Sequence, residues 1–333
     1  MNQNTRENWR VDVHHHVVPP RYADDSMPIK LPDTEGQLRS MDDWHIRTAI
    51  TSLTPRVILK NRHRLREVAR VCNEFQARMA LEHPSRFGSF ALLPLPDVDG
   101  ALEEITYALD ILHLDGVVLF SSVNDQYLGD PLLDPVFDEL DRRKAVVFIH
   151  PTHCEAPRET NLAAPPFVVE YVFDTTRAIV NLVFTGTLKR CPDIRLVIAH
   201  GGGTVPFLAQ RISMLEGHRH AKGVTDVIPM LRSLYYEIAS TTAGYALRSL
   251  QELADPTHIL WGSDLPFVYG ARLQEEVDHW EAYDGFDAAE RMAVEHLNAL
   301  QLFPRFGSSA GARCCCRKRG AALRSERRRH HPR

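Results

Sequence analysis

At 333 residues, 44% apolar and 25% charged, the chain has the composition of a globular protein with one large domain or two ordinary ones. No run of eighteen apolar residues is present, which excludes a helical membrane span, and residues 1–10 lack the apolar core of a secretory signal, so the expected location is the cytoplasm. The net charge of −4 is uneven, with +8 on residues 307–333 and −12 on residues 1–306, and so acidic a body argues against nucleic acid as a partner.

In chain order, residues 9–17 alternate with period 2 and are rich in valine, which predicts a buried strand. Residues two apart on a strand share a face, so Asp12, His14 and His16 are expected to project together, with His15 opposite as polar filler. A proline-bearing loop over 19–35 is long enough to serve function. A short helix over 41–47 and a second strand over 48–53 follow. Leu65, Val68, Val71, Phe75, Met79 and Leu81 form an apolar stripe that predicts a helix over 61–83. The third strand spans 87–95. Asp97 and Asp99 are candidate caps for a helix over 100–112. The fourth strand is 116–120, followed by a helix over 134–144 and a fifth strand over 145–150. An apolar helix over 167–188 precedes the sixth strand, 194–200, which ends in three glycines. A helix over 204–215, a seventh strand over 234–240 and a helix over 245–253 follow. The eighth strand is 258–261, then Gly262, Ser263 and Asp264, and a last helix covers 288–302.

Eight apolar strands alternating with helices imply a parallel sheet buried on both faces. Eight repeats over about 300 residues fit a (β/α)8 TIM barrel better than a doubly wound sheet. The expected organisation is one barrel over residues 1–306 and a basic tail over 307–333. The tail has no periodicity and one sign of charge, which reads as disorder. Its composition changes as abruptly as a shifted reading frame would make it. Cys72, Cys154 and Cys191 are scattered, while Cys314, Cys315 and Cys316 adjoin in the tail. No CxxC pair or disulfide framework results.

In a (β/α)8 barrel the active site lies at the C-terminal ends of the strands. There strand one carries His14 and His16, strand five ends in His150, strand six ends in His200, and strand eight is followed by Asp264. His14, His16, His150 and Asp264 would make a ligand set for zinc or a similar divalent ion, leaving His200 to orient water or a substrate group. A single histidine at a strand end is commonly structural; five such residues at one end of the barrel carry the assignment. The three glycines leave room beside His200. Phe120, Trp261 and Phe267 are candidate walls for a flat substrate.

The motifs V-D-V-H-H-H, F-I-H-P, I-A-H-G-G-G and W-G-S-D-L-P, over residues 11–266, resemble the amidohydrolase-related family. The ending L-F-P-R-F at 302–306 fits as well. The likeness is to the branch of 2-amino-3-carboxymuconate-6-semialdehyde decarboxylase and γ-resorcylate decarboxylase. Around L-P-L-P-D, Y-L-G-D-P and V-F-I-H-P-T the chain is most similar to 6-methylsalicylate-decarboxylase-type members. The resemblance implies a barrel of the metal-dependent-hydrolase type that holds one divalent ion, zinc before manganese, and no organic cofactor. It implies His14, His16, His150 and Asp264 as ligands and His200 as hydrogen-bond partner of the metal-bound water or the substrate. It also implies that Arg211, eleven residues after His200, reaches the site of a neighbouring subunit in a homodimer.

The expected activity is non-oxidative decarboxylation of an aromatic acid, hydroxybenzoate- or salicylate-like, or of a muconate-type acid. Asp264 would protonate the ring carbon and loss of CO2 would restore aromaticity. The alternative is a mononuclear metal-dependent hydrolase of an ester, lactone or amide. The fourth strand ends Leu119-Phe120-Ser121-Ser122, without the lysine that bridges two metals in binuclear hydrolases of the superfamily, which favours a single ion. A non-catalytic binding protein is the third reading, and the five intact site residues argue against it.

Overall fold

A computed structural model describes residues 9–23, 29, 31–124, 126–152, 165–218 and 223–307. Cys154, Cys314, Cys315, Cys316 and the expected tail beyond Gly307 lie outside the described residues. Eight strands form one sheet: β1 Arg10–His16, β2 Ile46–Ser52, β3 Phe87–Leu92, β4 Gly116–Phe120, β5 Val146–His150, β6 Arg195–Ile198, β7 Tyr235–Glu237 and β8 Ile259–Leu260. Their spatial order follows the chain, and every neighbouring pair is parallel. The sheet curls until its ends meet. Val13 N–H donates to the Trp261 carbonyl at 3.1 Å, Asp264 N–H to His14 at 2.9 Å, and His16 N–H to Leu265 at 2.6 Å. The architecture is the expected (β/α)8 barrel.

Phe90 on β3 and Phe148 on β5 are not sheet neighbours, yet their rings stack with centroids 5.3 Å apart. Both therefore project into the barrel. Alternation along β5 then sends His150 inward two residues later, while Val147 and Ile149 face the outer helices. The outer layer is apolar where it meets the sheet. On the helix Ala271–Ala282, for example, Leu273, Val277 and Trp280 are buried at i, i+4 and i+7.

Several boundaries differ from those expected, for local reasons. The loop over 19–35 ends early, because Asp33 caps a helix Thr34–Asp43 by accepting from Gly36 N–H at 2.8 Å. Of the helix expected over 41–47, only residues 41–43 belong to the end of this one, and Ile46 and Arg47 already open β2. Residues 24–28 and 30 of that loop lie outside the described residues. A helix at Pro55–Lys60 precedes the long helix Leu65–Glu82. Asp97 is the cap of the helix Val98–Thr106, and Asp99 falls in its first turn. The helix Ala271–Ala282 was not anticipated, although the spacing of its three buried residues was readable. Among the described residues no helix is long and apolar enough to cross a membrane.

Candidate metal centre

The first strand does not alternate cleanly. Its register against β2 slips by one residue between Asp12 and His15, which pair with Ala49 and Thr51. A bulge of this kind re-aims the side chains around it. Asp12 consequently lies on the side of His15, not on the side of His14 and His16 as strict alternation implied. Its carboxylate joins His15 Nδ1 at 2.9 Å and accepts from the Ser263 hydroxyl at 2.6 Å, the Ser263 N–H at 3.0 Å and the His14 N–H at 3.0 Å. Asp12 thus fastens β1 to the segment that carries Asp264. His15 is more than filler: its Nε2 meets Gln37 Oε1 at 2.7 Å, and Gln37 donates to the His16 carbonyl at 3.2 Å. This buried network is fully partnered, as burial demands.

His14 and His16 face one another with their Nε2 atoms 3.0 Å apart. Asp264 Oδ1 lies 3.4 Å from His14 Nε2 and 3.2 Å from His16 Nε2. The His150 ring stands 5.1 Å from that of His14 and 4.8 Å from that of His16. The ligating atoms of His14, His16 and His150 all fall within 4.8 Å of one another. Each of these histidines has its other nitrogen engaged: His14 Nδ1 with Glu237 Oε1 at 2.8 Å, His16 Nδ1 with Ser52 Oγ at 3.2 Å, His150 Nδ1 with the Pro151 carbonyl at 2.6 Å. The donor atoms of the three histidines thereby converge, with the Asp264 carboxylate against His14 and His16 and the ring orientations set from behind. That is the donor set and the outer support a divalent ion requires.

Electrostatics point the same way. Burial pushes the His16 and His150 imidazoles down, so both present lone pairs. Burial also opposes a charge on His14, but Glu237 and Asp264 outweigh it and raise the group to about 9. Burial favours the neutral Asp264 carboxyl, and the surrounding imidazoles, His14 first, overcome it and keep the group ionised well below its ordinary range. The centre draws positive charge to the point where the four donors meet.

His200 sits beside this cluster, its ring 4.9 Å from that of His14 and 6.5 Å from that of His150. Its Nδ1 pairs with the Ala239 carbonyl at 3.0 Å, which leaves Nε2 as the nitrogen available to a ligand. His200 itself has φ +54°, and Gly201, Gly202 and Gly203 continue in the left-handed region. At Gly203 a Cβ would collide with the Val172 carbonyl oxygen, so glycine here serves close approach as well as conformation. Glu237, fully buried on β7, was not singled out by the sequence. It supports both halves of the centre, holding His14 and accepting from the His200 N–H at 2.5 Å and the Ala239 N–H at 2.7 Å. Its only sequence signal was a carboxylate in an otherwise apolar strand.

The expected wall residues separate. Phe267 lies at the centre, its ring 5.3 Å from that of His16. Phe120 is 6.1 Å from the His150 ring. The Trp261 ring is not at the site. It packs 5.8 Å from Trp280, with the Arg10 guanidinium 4.5 Å over its face, in the core behind the sheet. Alternation explains this: with Trp261 turned outward, Asp264 beyond it is free to reach the mouth. Arg211 is exposed on the helix Val205–Ser213, between Phe207 and Met214, which are 83% and 75% exposed. Tyr171 and Arg56 were not singled out either. Burial raises the Tyr171 hydroxyl, Arg56 opposes this, and Asp264 adds to it. A cavity of about 660 Å³ opens next to the cluster, walled by Pro55, Ile58, Leu95, Phe120, Val123 and Thr152. It lies to the side of the histidines and meets them at Phe120 and Thr152.

The sequence profile of the family described as Amidohydrolase matches residues 11–305. The chain is 34% identical to decarboxylase yanB of Aspergillus niger, covering 91% of this chain and 90% of that one. It is 33% identical to 6-methylsalicylic acid decarboxylase acuB of Aspergillus aculeatus, over 89% of this chain and 96% of the relative. Among solved structures, one described as an amidohydrolase II superposes with a TM-score of 0.81 at 25% identity, covering 89% of this chain and 99% of that one.

Proposed function

The chain belongs to the amidohydrolase family, and we propose that it is a metal-dependent carboxy-lyase that removes CO2 from a salicylate- or hydroxybenzoate-type acid without oxidation. One observation carries this: the Nε2 atoms of His14 and His16 and the Asp264 carboxylate meet within 3.0–3.4 Å, at the mouth of a barrel and beside a cavity of about 660 Å³. The decarboxylases among the relatives support the reaction class. His14, His16, His150 and Asp264 would hold the ion, with zinc and manganese both suited to three imidazoles and a carboxylate. A bound divalent ion would supply Lewis acidity and an anchor for the substrate's carboxylate and neighbouring hydroxyl.

This chain's own groups do the rest. Phe267 and Phe120 flank the ring. Arg56 and Tyr171 supply a cation and a hydroxyl for the polar edge of the substrate. His200, its Nδ1 held by Ala239, offers Nε2 as an acceptor for the substrate's hydroxyl proton. Asp264, ionised at rest, takes up a proton from the substrate or solvent as the substrate binds and delivers it to the ring carbon that bears the carboxylate. The carbon–carbon bond then breaks, its electron pair restores the aromatic ring, and CO2 leaves. The proton placed on the ring replaces the carboxylate, so the net change is one proton in and one CO2 out. Holding the acid and the ring carbon together is worth about 7–11 kcal/mol in the best intramolecular cases.

Residues 1–306 act as one catalytic barrel in this reading. The exposed Phe207 and Met214 around Arg211 support a homodimer built on that helix. The test is incubation of metal-loaded protein with a panel of hydroxybenzoic acids while CO2 is measured. Release of CO2 with formation of the matching phenol supports the proposal. Ester or lactone hydrolysis without CO2 replaces it with the hydrolase reading.

A further inference from the structure

We propose that Glu276 is a positioning residue for His200 and acts through the peptide group that joins Ala239 to Ser240. The carbonyl of that peptide pairs with His200 Nδ1 at 3.0 Å. The N–H of the same peptide donates to Glu276 Oε2 at 2.9 Å. The Ser240 hydroxyl adds a second bond, to Glu276 Oε1 at 3.2 Å. Imidazole, peptide and carboxyl are therefore in series: His200 N–H to carbonyl, peptide N–H to Glu276. Hydrogen bonds in such a chain polarise one another, so an acceptor on the N–H strengthens the carbonyl as an acceptor for the imidazole.

The geometry needs a restraint at this point. Ser240 is not glycine, yet its φ is +54°. A left-handed residue of this kind persists where its surroundings over-determine it. On one side the Ala239 N–H is held by Glu237 Oε2 at 2.7 Å. On the other side both donors of Ser240 are held by Glu276. Thr241 adds its hydroxyl to the Ala239 carbonyl at 3.1 Å. The two carboxyl groups thus grip consecutive peptides, and the carbonyl between them is aimed at His200. A fixed acceptor at Nδ1 selects the tautomer that carries the proton there and leaves Nε2 bare towards the metal centre.

Glu276 belongs to the helix Ala271–Ala282, the element after the loop that holds Asp264. It is half-buried where Gln274 and Glu275 beside it are exposed. Asp264 and Glu237 are the carboxylates whose charge acts on it, and both raise its carboxyl. Its hydrogen bonds go to Ser240, so its effect on the site passes through the peptide that holds His200.

The proposal rests on the placement of His200 beside the reacting groups, and one readout is independent of the reaction. With ¹⁵N-histidine label in the zinc-loaded full chain, the His200 ring nitrogens report its tautomer, assigned by comparison with His200→Asn. The wild type should show the Nδ1–H form. Glu276→Met fills the same volume without acceptor oxygens; it should lose that single tautomer and lower kcat at least tenfold, with KM and metal content unchanged. Glu276→Gln keeps one acceptor for the Ser240 N–H and should restore both readouts to within about threefold. A wild-type His200 protonated at Nε2 overturns the proposal without any variant. So does Glu276→Met with an unaltered tautomer. If the protein proves not to be a decarboxylase, the tautomer measurement still decides.

Discussion

Glu237 Oε1 lies 2.8 Å from His14 Nδ1 and 2.5 Å from the His200 amide nitrogen, so a single buried oxygen on β7 ties the first strand to the loop after the sixth. Replacing Glu237 by Gln keeps the shape but removes the charge that orients and enriches the His14 imidazole. Outer partners of metal ligands are typically worth 10–100-fold in affinity. The expected result is a loss of that size in a competition with a chelator, with the fold retained. Unchanged affinity would show that His14 does not depend on Glu237.

Gly262 should give the same result by another route. A Cβ there would run into Glu237 Oε2. Gly262→Ala is expected to displace that carboxylate and weaken metal retention as Glu237→Gln does. The two changes together should cost little more than either alone, because they act on one contact. Metal content after dialysis measures it.

Asp264→Asn removes the proton donor and one anionic ligand while keeping size. General acid groups contribute about 10²–10⁴-fold, so kcat should fall by at least that range. Turnover within tenfold of wild type would remove Asp264 from the acid role.

Gly203→Ala tests the backbone beside His200. Gly203 has φ +63° and faces the Val172 carbonyl. Strain of this type costs on the order of 1–3 kcal/mol, so the melting temperature should drop by several degrees. An unchanged melting temperature would mean the loop has an alternative path.

Glu276 gives a stability term that runs against the usual acid trend. Burial, with Asp264 and Glu237 adding to it, lifts its carboxyl from 4.5 to about 7 against the opposing bonds from Ser240. The folded state therefore binds this proton more tightly than the unfolded state. The group's contribution is fully present below pH 4.5 and is lost as the pH rises through about 7. Urea unfolding at pH 5, 6, 7 and 8 should show wild type losing stability relative to Glu276→Gln across that window. Parallel curves would contradict it.

Much of this site was legible because strand periodicity and parallel order are local properties of the chain. His14, His16, His150 and His200 stand at strand ends, and any barrel brings those ends together. Asp12 was misplaced because a one-residue bulge leaves no mark in the residue pattern. Trp261 was misplaced because aromatic type says nothing of which face it occupies. Glu237 and Glu276 were missed for a different reason. Their partners are His14 on β1, backbone N–H groups after β6 and β7, and the Ser240 hydroxyl, so only the closed barrel reveals them. The helix Ala271–Ala282 was readable from Leu273, Val277 and Trp280, but its polar positions diluted the stripe.

The most direct measurement is CO2 release from a salicylate-type acid by the full chain, metal-stripped and then reloaded with zinc or manganese. The expected result is phenol and CO2 in equal amounts with metal and neither without it. CO2 release that persists in the stripped protein, or a reloaded protein that cleaves esters and releases none, would contradict a metal-dependent decarboxylase built on His14, His16, His150 and Asp264.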